Sequence, residues 1–131
     1  MAYTGVILEG KANKILLQLR DNKPEIPYPG HWSIFGGEIE EGETPLEGAV
    51  REIEEELGKR LEKESLLFYK KVTLDKNYYI FRANFPYDLS EITLMEGQEA
   101  RFFSRDETIK LDNLIPLVKE FIERYWQERI S

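Results

Sequence analysis

The chain has no cysteine, one histidine and two methionines in 131 residues. Without cysteine it has no disulfide framework, no thiolate zinc or iron-sulfur site and no thiol nucleophile. The single histidine, His31, lies between a proline-rich stretch and Trp32 and reads as a hydrogen-bonded loop residue rather than a catalytic base. No apolar run approaches the roughly 20 residues that span a bilayer, and the opening MAYTGVILEG has no basic leader region, so the expectation is a cytoplasmic protein with no membrane contact. No repeat, linker or low-complexity tract interrupts the chain, which predicts one domain over residues 1–131. A domain of this size buries roughly two thirds of its unfolded surface, so a bound metal would have a task other than holding the fold together.

Basic residues are nearly missing from one place. The net charge is −7, and between Gly37 and Gly58 nine glutamates face the single base Arg51. The acidity is therefore local. An acidic chain also lacks the lysine and arginine surplus that neutralises phosphates along a nucleic-acid polymer, so no such partner is expected.

Alternation of apolar and polar residues predicts strands over 3–8 and 14–19, joined by a turn at 9–13. Residues 20–30 hold three prolines and a glycine and read as loop. A short strand over 31–35 should end at Gly36-Gly37, a strand pair should occupy 65–74 and 77–85, and another strand should run over 100–104. A closing helix is expected from about 113 to 128, burying Leu114, Leu117, Val118, Phe121, Ile122 and Tyr125. Trp126 has two readings, a cover for the core or an oligomer contact. Strands and two main helices place the chain in the α/β (α+β) class.

The helix over 45–57 has the clearest limits. Thr44-Pro45-Leu46-Glu47 supplies an N-cap, a proline at the first helical position and a glutamate at the third, and Gly58 suits a left-handed terminus. At 100° per residue, Leu46, Val50, Ile53 and Leu57 gather on one face with Ala49 at its margin. Glu52, Glu55 and Glu56 share another stripe, which the pattern places away from the core. Like charges at this spacing repel, and a divalent cation would reverse the cost. Oxygen-only ligands suit Mg²⁺, or Mn²⁺, which also bind phosphate oxygens.

From Gly37 the chain reads GEIEEGETPLEGAVREIEEELGK. This resembles the Nudix box, the signature of the Nudix hydrolases, with eight of nine named positions matched and Lys59 standing where an aliphatic residue is usual. Phe35 precedes Gly36-Gly37 where many relatives have proline, and it reads as a core residue. The resemblance implies an α/β/α sandwich with a mixed central sheet. It also implies metal-dependent hydrolysis of a nucleoside diphosphate linked to another group, and the expected substrate is a (deoxy)nucleoside triphosphate or an oxidised nucleotide. Carried over by position, it makes Glu52, Glu55 and Glu56 metal ligands with the Gly36 carbonyl, and gives Gly37, Glu43, Arg51 and Gly58 structural roles. Arg51 is in reach of Glu55 one turn on, and of Glu43.

The resemblance also implies a further acid, the general base, from a loop after the strands; Glu96, then Glu99, are the candidates in the loop before the 100–104 strand, and Glu55 or Glu56 would serve while also touching metal. For substrate contacts, Arg20 offers a planar fork to phosphate, and Tyr79 and Phe81 alternate on a strand face that would stack on a base or fill the core. A monomer and a homodimer both fit. The alternative from another class is a non-catalytic Nudix-fold module that binds a nucleotide or a partner protein.

Overall fold

Val6, Ile7 and Leu8 are all fully buried in β1 (Ala2–Glu9), although successive strand residues point to opposite faces. A strand apolar on both faces belongs between two layers, and β1 is the middle of the sheet. The computed structural model describes residues 2–130. The remaining strands are β2 (Ile15–Leu19), β3 (Trp32–Ser33), β4 (Phe35–Glu38), β5 (Leu67–Thr73), β6 (Asn77–Asn84) and β7 (Glu99–Phe103). The helices are α1 (Pro45–Leu57), α2 (Arg105–Ile109) and α3 (Pro116–Ile130).

Among the described residues these strands form one seven-stranded mixed sheet, with β3-β2-β1-β6-β5 as its main order. β1 runs parallel to β6 and antiparallel to β2 and β4, which share its other edge, while β7 lies against β2. Two apolar layers follow. Val6, Leu8, Leu16, Phe35 and Phe81 pack against Ala49, Val50, Ile53 and Leu57 of α1. On the opposite face, Ile7, Ile15, Leu17 and Phe103 pack against Val118, Phe121, Ile122 and Tyr125 of α3. Each fully buried aliphatic side chain in these layers is worth about 1.5–3 kcal/mol. The architecture is an α/β/α sandwich.

Three elements differ from the sequence reading. The 31–35 strand is interrupted: β3 pairs with β2, and β4 continues through Gly36 and Gly37 against β1, because Gly36 leaves room for the β1 backbone. α3 starts at Pro116, three residues late, since Leu114 forms a parallel bridge with Trp32 and the proline suits the first helical turn. The short α2 was not anticipated. Its capping box, Ser104 with Glu107, is present in the sequence but encloses only five helical residues. Trp126 is buried and donates its indole N–H to Thr108 of α2 at 3.0 Å, so it closes the core.

Candidate active site

α1 is framed as the local chemistry requires. The Thr44 hydroxyl accepts from the Glu47 amide at 3.1 Å, and the Glu47 carboxylate accepts from the Thr44 amide at 2.9 Å. At the other end Gly58 has φ 69°, and its amide donates to the Glu54 carbonyl. Fixing both ends fixes the rotational setting of the helix, and therefore where each glutamate points.

Arg51 organises the entry to α1. Its Nε and Nη2 donate to the two oxygens of Glu43 at 2.7 and 3.0 Å, its Nη1 to Glu52 and Glu55 at 3.1 Å each, and its Nη2 also to the Glu38 carbonyl at 3.0 Å. The fork thus ties β4, the loop before α1 and the helix together. The paired guanidinium holds the Glu43 carboxyl below the usual carboxylate range. Lys59, in the box's aliphatic position, lays its ammonium over the Tyr87 ring at 4.5 Å from the centroid.

The three helix carboxylates are not equally placed, and here the sequence reading needs correcting. Glu55 is exposed and Glu52 half-buried, but Glu56 is 1% exposed. The stripe does not stand clear of the core, because Glu56 lies only about 60° around the helix from Ile53 and the segment before β7 covers it. That segment is pinned by backbone: the Thr93 amide donates to the Leu57 carbonyl at 3.1 Å and the Met95 amide to the Glu56 carbonyl at 2.9 Å. Two carbonyls left over at the helix end are satisfied, and Glu96 is brought beside Glu52 and Glu56.

Neither carboxyl oxygen of Glu56 has a hydrogen-bond partner among the described residues. Burial pushes its pKa up to about 9, with the negative charges of Glu52 and Glu96 adding to the shift and the Gly36 backbone opposing it weakly. Burial also raises Glu52, with Arg51 opposing and Glu55 and Glu96 reinforcing. A β-carbon on Gly37 would run into the Glu52 carboxylate, so the glycine leaves that side chain its place.

This arrangement fits a hard dication in its chemistry. The donors are oxygens, Glu56 presents two buried and unsatisfied ones, and Glu52 and Glu96 act on the same point. Among the described residues no three acidic side chains are already drawn together at metal-binding distance. The carboxylates repel, and a dication would reverse that repulsion.

The other anticipated contacts divide. Glu99 is corrected: it opens β7 with its carboxylate held by Arg101 at 2.7 Å. Strand alternation turns Glu99, Arg101 and Phe103 toward the α3 layer, whereas Ala100 and Phe102 face α1. Phe81 takes the second of its two readings, being buried in the α1 layer with Phe68 edge-on to it. Tyr79 lies half-buried at the margin of that layer, under the Lys71 ammonium. Arg20 is spent partly on structure. Its Nε donates to the Pro27 carbonyl at 3.0 Å, and its own carbonyl accepts from Gln98 at 2.8 Å, two residues past Glu96. His31 bonds the Pro29 carbonyl through Nδ1 at 2.9 Å.

An aromatic pair escaped the sequence reading. Tyr3 and Tyr78 stack at 5.6 Å across the parallel β1–β6 ladder, with Lys76 over Tyr3 at 4.9 Å. Tyr3 also pairs with Glu38, next to the Gly37 that touches Glu52. Only the inter-strand register reveals this, and no local pattern encodes register between strands seventy residues apart.

A family model described as the NUDIX domain matches residues 1–125. The chain belongs to the Nudix family. Among curated Nudix relatives, an ADP-ribose pyrophosphatase from Methanocaldococcus jannaschii is 36% identical over 115 residues, covering 85% of this chain and 65% of that one. The chain thus spans just under two thirds of that relative's length. The nucleoside triphosphatase NudI from an Enterobacter species is 57% identical over 35 residues, 27% of this chain and 25% of its own. A solved Nudix hydrolase from Nitrosomonas europaea superposes with a TM-score of 0.79 at 30% identity, over 98% of this chain and 70% of that one. A MutT protein from Methanosarcina mazei gives 0.76 at 20% identity, over 100% and 96%, which shows the shared fold. No described helix is long and apolar enough to cross a membrane.

Proposed function

We propose that this Nudix chain is a divalent-metal-dependent pyrophosphohydrolase that adds water across the P–O–P linkage of a nucleoside diphosphate derivative. The observation that carries this reading is Glu56: a buried carboxyl with two unsatisfied oxygens, in the field of Glu52 and Glu96, inside the box helix. Glu52, Glu55 and Glu56, with the Gly36 carbonyl, would hold Mg²⁺ or Mn²⁺. Bound there, the cation supplies charge neutralisation to the diphosphate and acidity to a water. Glu96 takes the proton from the attacking water, and the loop bonds at Thr93 and Met95 hold it at the site. Arg51 and Glu43 are positioning residues. The Tyr3–Tyr78 pair is the surface offered to a base or sugar.

The similarity to the archaeal relative supports ADP-ribose as the first substrate to test. NudI supports nucleoside triphosphates as the second. The assay is product release from ADP-ribose and from a panel of deoxynucleoside triphosphates with Mg²⁺. Glu96→Gln should lower kcat by about 10²–10⁴ with KM little changed. No turnover of any nucleoside diphosphate derivative, or full activity in Glu55→Gln, would overturn the reading.

A further inference from the structure

A groove of about 660 Å³ lies between the outer strands and α3, on the face of the sheet opposite the box helix. Four bases line it, Lys70, Arg82, Arg124 and Arg129, against one acid, Glu128, in a protein whose net charge is −7. Two of these bases have an internal explanation. Arg129 and Arg82 reach the half-buried Glu9 at 2.9 and 3.5 Å, and Glu9 also accepts the Tyr125 hydroxyl at 2.6 Å. Arg124 and Lys70 form no ion pair among the described residues, yet they face the same cleft from the helix and from the edge strand. Converging like charges repel, and an anion between them removes that cost.

The size and the walls narrow the class of anion. The volume falls in the range of sites for whole small molecules, about 300–1,000 Å³, so an inorganic phosphate alone would leave most of it to water. Tyr69 gives the groove an aromatic side, its ring edge-on to Tyr125 of α3. An aromatic ring beside cations that lack an ion-pair partner is the pairing a phosphorylated, ring-bearing ligand uses.

We propose that this groove is a second anion site, separate from the carboxylate site and independent of metal, that binds a nucleoside monophosphate with its phosphate on Arg124 and Lys70 and its ring against Tyr69. The sheet separates the carboxylates from this groove, so divalent cation distinguishes the two sites experimentally. AMP, adenosine and inorganic phosphate are titrated calorimetrically into the whole chain with excess chelator. AMP should bind more tightly than either fragment, and added salt should weaken it. Arg124→Ala should cost about tenfold in affinity, and Glu55→Gln should cost nothing. Arg124 is exposed, so the variant should keep its fold, checked by circular dichroism; Lys70→Ala provides a second reading. The proposal fails if AMP does not bind in chelator, if both variants bind it as the unaltered chain does, or if adenosine or phosphate alone binds as well. Hydrolysis with Mg²⁺ is measured separately, so a failed hydrolase leaves this result readable, and the reverse.

Discussion

At the scale of single residues, Glu56 and Arg51 solve opposite problems. Glu56 is a carboxyl removed from water without a partner, and in the metal-free protein it keeps a proton up to about pH 9, whereas in the unfolded chain it releases that proton near the ordinary carboxylate value. The folded state thus binds more protons than the unfolded one. The stability this group contributes is full below the ordinary value and is lost as pH rises through about 9. Thermal melts in chelator should show Tm falling from pH 6 to pH 9, with Glu56→Gln flattening the slope and raising Tm at pH 8. Arg51 is the reverse case, a cation with more partners than it can lose. Arg51→Lys cannot reproduce the two-pronged bond to Glu43 and should cost about 1–3 kcal/mol in denaturant unfolding. Activity should fall further than stability, because Glu52 and Glu55 lose the same anchor.

At the scale of elements, the helix was readable and the segment that completes the site was not. Thr44, Pro45, Glu47 and Gly58 act within one or two turns of the chain they cap, so their types carry the boundary by themselves. Thr44→Ala should cost about 1 kcal/mol, and with it the exact aim of Glu52. The burial of Glu56, by contrast, depends on residues 93–96 lying across the helix, a contact between segments some forty residues apart that no periodicity records. Glu96 was readable as a candidate only by its place before β7. Glu99 was misplaced because its strand begins one residue earlier than the apolar pattern suggests, which hands it to the other face. Gly36-Gly37 read as a strand end for a related reason. Their use as strand appears only once β1 lies beside them. Gly37→Ala should displace the Glu52 carboxylate and weaken metal binding, measured by Mn²⁺ titration, while unfolding changes less, since the obstructing group is the end of a flexible side chain.

At the scale of the whole molecule, the charge is divided by the sheet. The nine glutamates between Gly37 and Gly58 gather about α1, whereas four bases line the groove on the α3 face. An anionic substrate approaching the first face is repelled until a cation is present. Nucleotide affinity at the carboxylate site should therefore collapse in chelator, and Mg²⁺ alone should raise Tm by several degrees through its preference for the folded state. Calorimetric scans of the unaltered chain and of Glu52→Gln test this, and equal Tm values with and without Mg²⁺ would remove the metal from the account.

The two backbone bonds from Thr93 and Met95 to the end of α1 give the active-site loop a clock that deuterium can read. These amides belong to an irregular stretch in which Thr93 and Met95 are themselves exposed, the setting in which exchange is usually immediate. Docked on the helix carbonyls, they should exchange only as often as the helix terminus and the loop part company. Their exchange rate would then measure how frequently Glu96 leaves Glu56, without substrate, metal or any change to the sequence.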